Sequence, residues 1–152
     1  MTRIDFAFGA PDRLRAACRT ARKRFQAGQR LVVYCADGGR LAAFDRMLWA
    51  LEDVSFVPHV LANDALAADT PVLLTAGDPA AAALALATTG DSRPWLLNLD
   101  DGCPPNFDGY ERLLEIVSDD PADRQAARQR WRDYQNAGHA LHSHDLSRAG
   151  EA

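Results

Sequence analysis

The chain has 152 residues, 47% of them hydrophobic and 25% charged, with 17 basic and 21 acidic side chains for a net charge of −4. That composition excludes a disordered or fibrous protein, and no apolar run approaches the roughly 20 residues of a membrane span. Net acidity also argues against gripping nucleic acid over a broad face, which needs a basic surface, and leaves room only for a local cationic stripe.

The opening MTRIDFAFGAPDR has neither the long apolar core nor the small-residue cleavage site of a secretory leader. Cys18, Cys35 and Cys103 are odd in number and widely spaced. Reduced thiols in a cytoplasmic protein are expected rather than a disulfide framework.

Residues 3–8 alternate and carry two aromatics, which predicts a strand. Pro11-Asp12 opens a helix over 12–27, with Leu14, Ala17, Cys18, Ala21 and Phe25 at helical spacing and Gly28 as its stop. Residues 30–36, RLVVYCA, form a continuous apolar run of the kind buried on both faces of a sheet. Asp37-Gly38-Gly39 turns into a second helix, 39–51, striped by Leu41, Phe44, Leu48 and Leu51. Residues 62–70 read as loop, 71–76 as a third strand, the alanine-rich 79–88 as a short helix and 94–99 as a fourth strand. Asp100 to Pro105 read as a tight loop, 107–112 as a short helix and 113–117 as an apolar stretch. Asp119-Asp120-Pro121 starts a final helix that runs to about Gly138. The alternation predicts one three-layer α/β/α, Rossmann-like domain over 1–140, with a mostly parallel or mixed sheet, followed by a loose tail at 141–152.

Several clusters invite chemistry and have plainer explanations. The turn CADGGR follows a strand and opens a helix, a common ligand position in α/β sheets. It completes neither a dinucleotide fingerprint nor a phosphate-binding loop. Cys35 and Arg40 resemble a cysteine phosphatase loop with one residue too few between them. A small α/β hydrolase or phosphatase is therefore the alternative function, and a buried cysteine at a strand end is the plainer account. His139, His142, His144 and Asp145 carry metal-ligand chemistry, but follow a helix-ending glycine and read as a solvated tail, so no metal is assigned. No G-x-S-x-G elbow holds a serine, and the acid pairs 100–101 and 119–120 suit turns and caps. Neither a catalytic set nor a cofactor site emerges.

The last helix says more. At 100° per residue, Arg124, Arg128 and Arg132 fall within about 80° of one another. Ala126, Ala127, Tyr134 and Ala137 mark its apolar face, with Trp131 on the boundary. This is either an ordinary solvated basic side or a small site with an apolar floor and a cationic rim, suited to a short acidic peptide with an apolar end. The arginines and Trp131 also raise the weaker idea of direct single-stranded DNA binding, which the net charge opposes. Trp49 lies about 120° from the centre of its helix's apolar stripe, as an interface anchor or a residue packed under a loop would. The segment Ser55-Phe56-Val57-Pro58-His59 puts apolar side chains at an edge or loop, because its proline lacks a backbone donor. An exposed Phe56 there would make a protein-binding patch, and a buried one would be core.

At these residues the chain resembles the chi-subunit family of the bacterial DNA polymerase III holoenzyme. The match rests on Leu48-Trp49, the SFVPH segment with Leu61, and the run Ala127-Arg128-Gln129-Arg130-Trp131-Arg132-Asp133-Tyr134 ending in Ala137-Gly138. The resemblance implies a non-catalytic adaptor. It implies binding to the acidic C-terminal tail of single-stranded DNA-binding protein through Trp49, Val117, Arg124, Arg128, Trp131 and Arg132. It also implies a link to the clamp loader through a psi subunit at Phe56, Val57, Pro58 and His59, the surface that also meets an XPD-like helicase. Trp131 stands where tyrosine is common, and Arg124 and Arg132 where lysines occur, which keeps the chemistry. His139 replaces an aromatic, and residues 78–92 are unlike the family.

Overall fold

The computed structural model describes residues 2–50, 57–64, 70–85 and 93–149. In chain order these form β1 (Arg3–Ala10), α1 (Arg13–Gln26), β2 (Leu31–Tyr34), α2 (Gly38–Ala50), β3 (His59–Leu61), β4 (Val72–Thr75), α3 (Pro79–Ala85) and β5 (Trp95–Asn98). A single 3-10 turn at Phe107–Gly109 precedes β6 (Arg112–Ser118), α4 (Pro121–Asn136), β7 (Ala140–Asp145) and α5 (Leu146–Ala149). The strands make one sheet in the order β3-β4-β2-β5-β6-β1-β7, and every described pairing is parallel. The expected three-layer α/β fold is present, in its parallel rather than its mixed form.

Alternation along the strands builds two cores. Leu31 and Val33 of β2 pack on one face with Ala17, Ala21, Phe44 and Leu48 of α1 and α2. Val32 and Tyr34 pack on the other with Ala82 of α3 and Ala127 and Tyr134 of α4. A central strand covered on both sides has no polar phase, hence the unbroken run in the sequence. Local signals set the helix ends. The Asp12 carboxylate accepts from the Arg15 amide at 3.1 Å to cap α1. Gly28 and Gly138, at φ +77° and +87°, follow the last residues of α1 and α4 in the left-handed conformation that ends a helix.

The proline-containing segment, expected at an edge or loop, leads into the short edge strand β3, with Pro58 just before it where no ladder bond is lost. Two expectations need correction. The helix expected at 107–112 shrinks to one turn, because β6 already begins at Arg112 beside Arg3. The stretch after 140, read as a loose tail, is the edge strand β7, paired with β1 from Arg3↔Ala140 to Phe8↔Asp145. Its sequence, ALHSHD, is mostly exposed, so it lacks the apolar alternation that marks a strand. It forms because β1 would otherwise present an unpaired ladder.

Candidate peptide-binding groove

Helix α4 leaves the carboxyl end of β6 and starts on Pro121. Asp123 accepts the Ser118 amide at 2.7 Å and ties the first turn to the strand. Ala127, Arg130 and Tyr134 face the sheet. Arg124, Arg128 and Arg132 lie on the exposed flank beside an open cavity of about 390 Å3. The cavity is bounded by Phe6 and Phe8 of β1, Val117 of β6, Ala127 and Trp131 of α4, and Ser143 of β7. Phe6 meets Trp131 edge-on, ring centres 5.0 Å apart, and makes a rigid aromatic floor. Phe8, 42% exposed, stands at the mouth. Arg124 and Arg128 make no ion pair with a described residue, while Arg132 donates to the Gln129 amide oxygen at 2.8 Å.

The buried side of the same helix holds a feature the sequence reading missed. Arg130 is only 1% exposed; its Nε donates to Glu115 at 3.0 Å and its Nη1 to the Asp101 carbonyl at 3.0 Å. Glu115, fully buried, also accepts from the Tyr134 hydroxyl at 2.6 Å and the Asn98 amide at 2.8 Å. Burial and the adjacent carboxylate push the Tyr134 hydroxyl far above its ordinary pKa, so it stays a proton donor. The signal was present. Position 130 shares the inward phase of Ala127 and Tyr134, and Glu115 that of Leu113 and Val117. This network locks the rotation of α4 and so aims Arg128, two residues away, outward.

Five of the six residues expected at the tail site gather here: Val117, Arg124, Arg128, Trp131 and Arg132. Trp49 does not. It sits on α2, over the other face of the sheet and at the opposite edge, with its ring 4.8 Å from that of His59. Phe6, Phe8 and Ser143 take its place in the groove. At the β3 edge, Val57 and His59 are buried rather than presented. His59 bonds the Val57 carbonyl and the Asp45 carboxylate, each at 2.7 Å. Pro58 is half-buried, and Phe56 lies outside the described residues. Among the described residues, the exposed large apolar side chains at this edge are Trp49 and Leu61, 55% and 53% exposed.

At the carboxyl ends of the strands, where α/β domains often bind ligands, one cavity of about 690 Å3 opens beyond β3 and β4, and a second of about 310 Å3, beside α1 and α4, is walled by the chain's own ion pairs. Arg40 meets Asp101 at 3.0 Å, and Arg13 meets Asp123 at 3.6 Å. Burial raises the Cys35 thiol above its ordinary pKa. The Gly39 amide is already capped by Asp37 at 2.9 Å. A phosphatase loop needs a thiolate and open amides; here burial favours the thiol, and the Asp37 carboxylate occupies the Gly39 and Arg40 amides. Of the histidines after α4, His139 packs beside Phe107 and His144 bonds Asp5 at 3.1 Å.

Fold and surface together define a doubly wound α/β domain that carries, besides the cavity at its strand ends, a cation-rimmed apolar groove on a helix flank. The chain belongs to the family described as DNA polymerase III chi subunit, HolC, whose sequence pattern matches residues 1–142. This places it among the accessory subunits of the DNA polymerase III of DNA replication. It is 35% identical to the DNA polymerase III subunit chi of Pseudomonas aeruginosa over 152 residues, 97% of this chain and 99% of the relative. The subunit chi of Escherichia coli K12 is 26% identical over 126 residues, 83% and 80% of the two chains. That of Haemophilus influenzae is 22% identical over 130 residues, 86% and 85%. Among the described residues, no helix is long and apolar enough to cross a membrane.

Proposed function

We propose that this chain is a non-catalytic adaptor that holds the acidic C-terminal tail of single-stranded DNA-binding protein in the α4 groove and joins the clamp loader through a psi subunit. The observation that carries the reading is a row of exposed arginines, Arg124 and Arg128 without ion-pair partners among the described residues, beside an aromatic floor of Phe6 and Trp131. An apolar terminal side chain fits against that floor and Val117. Its α-carboxylate meets Arg128, the middle of the row, whose planar fork holds a carboxylate in a fixed direction. Arg124 and Arg132 attract upstream aspartates with little fixed geometry. Val57 to His59 support the second contact edge, with Trp49 as its exposed anchor; Phe56 is assigned to that contact by the family resemblance alone, and the same edge suits psi or an XPD-like helicase.

The test is a titration with a synthetic tail peptide in free-acid and amidated forms. Amidation is expected to weaken binding to the wild-type chain and to add little to Arg128→Ala, because the two groups form one interaction. Additive losses would reduce the site to a diffuse basic face.

A further inference from the structure

The sheet edge that carries the groove has a second face. Consecutive residues of a strand point to opposite sides, and β1 and β7 use both. Ser143 and Phe6 border the α4 groove, whereas their neighbours His144 and Asp5 border a smaller cavity, about 200 Å3, beside α1.

That second cavity is cationic. Asp5 is buried and gathers Arg112 Nε at 2.6 Å, Arg3 Nη2 at 3.1 Å and His144 Nε2 at 3.1 Å. Arg112 also lies over the Trp95 ring at 4.4 Å, and Arg24 over the same ring at 5.4 Å. Lys23 borders the cavity as well. Glu115 touches it, but its carboxylate is engaged on the other face by Arg130 and Tyr134. One inward carboxylate thus stands among Arg3, Arg24 and Arg112. It offsets one charge and holds two forks in place, and among these described groups an excess of positive charge remains. The cluster persists in a chain of net charge −4 because acids collect at the carboxyl ends of the strands, at positions 12, 37, 100, 101, 119 and 120. The amino ends carry Arg3 and Arg112, paired in register.

The arginine row leads toward this place. Helix α4 begins at the carboxyl end of β6 and ends just before Ala140, which pairs with Arg3. Arg132 is therefore the member of the row nearest the amino ends of β1 and β6. Among the described residues β7 is paired on one side only, and α5 follows from its carboxyl end. Each helix layer lies about 10 Å from the sheet and an extended chain rises about 3.3 Å per residue, so about six residues pass round the edge from one helix layer to the other.

We propose that the cavity around Asp5 and Trp95 is a second subsite for the same acidic tail, whose upstream residues pass Arg132, round the edge of β7 and set carboxylates against Arg24 and Arg112. This rests on reading the α4 groove as the tail site.

The experiment uses the full chain and two tail peptides ending in the same apolar residue: one of about six residues, and one of about twelve that adds upstream aspartates. The variants are Arg24→Gln and Arg24→Glu, which leave the Asp5 hub intact. At low salt the charge reversal is expected to weaken the long peptide about fivefold, to leave the short one within about twofold, and to lose its effect as salt rises. The neutral variant should fall between. Arg128→Ala should weaken both peptides. Equal wild-type affinity for the two lengths, or equal losses on both, would overturn the second subsite and leave the groove standing. A short peptide that fails to bind wild type overturns the groove reading and this proposal with it. If a single-stranded oligonucleotide binds and the reversal abolishes it while the long peptide is indifferent, the cavity belongs to phosphates and the proposal falls.

Discussion

Arg128 and Arg130 sit two residues apart on α4 and have opposite fates. Arg130 is enclosed, with Glu115 and the Asp101 carbonyl as its partners. Arg128 is exposed beside an apolar cavity and has no ion-pair partner among the described residues. The same side chain on the same helix is a structural bolt on one face and an open recognition fork on the other. What separates them is whether the sheet beneath has already supplied a carboxylate.

The sharpest way to break the comparison is Arg130→Ala. It leaves the buried Glu115 carboxylate with only the more distant Arg13 guanidinium, 3.8 Å away, so unfolding in urea should show a loss of about 3 kcal/mol. Arg130→Met combined with Glu115→Gln should lose less than Arg130→Met does, since no charge is left unpaired. Arg128→Ala should leave stability within about 0.5 kcal/mol and weaken the tail peptide by about 2–4 kcal/mol in a titration. If the two variants exchanged phenotypes, the division of labour would be wrong.

Trp49→Ala tests the other edge of the molecule. It should weaken a psi-type or helicase partner by about 1–2 kcal/mol and leave peptide affinity unchanged, because the indole lies over His59 and far from the groove. A loss of peptide affinity would return Trp49 to the tail site. Arg124→Ala and Arg132→Ala remove solvent-screened rim charges. Each should weaken the peptide by about 0.2–1 kcal/mol, shrinking as salt rises.

The smallest effect is a pH dependence. Burial pushes the Asp5 carboxyl up, but hydrogen bonds from Arg112, His144 and Arg3 outweigh it and hold the pKa below its ordinary value. A carboxylate whose pKa is depressed in the folded state adds stability above its unfolded pKa, lost as pH falls through the folded value. Stability measured across the acid range should therefore fall less steeply in Asp5→Asn than in wild type.

Much of this was legible locally. The run LVVY announced a strand covered on both faces, and β2 is one. Gly28 and Gly138 marked helix ends because only a residue tolerant of positive φ ends a helix that way. The spacing of Arg124, Arg128 and Arg132 placed them on one flank, and they line one groove. Arg130 was readable in principle, but a charged residue on an inward phase reads as exposed until its partner is known. That partner, Glu115, lies on a different element.

The sequence by itself determined the alternation of strands and helices, their caps, and the cationic flank of α4, because each depends on periodicity and turn chemistry within a few residues. Only the tertiary structure decided what those elements face. Strand order put Trp49 and the arginine row at opposite edges of the sheet. It brought Phe6 and Phe8, more than a hundred residues away in sequence, beside Trp131. It also recruited the weakly patterned 140–145 to complete the edge of β1. Such contacts pair residues far apart in the chain, and they form because burying an apolar surface or an unpaired strand edge stabilises the fold whichever segment supplies the cover.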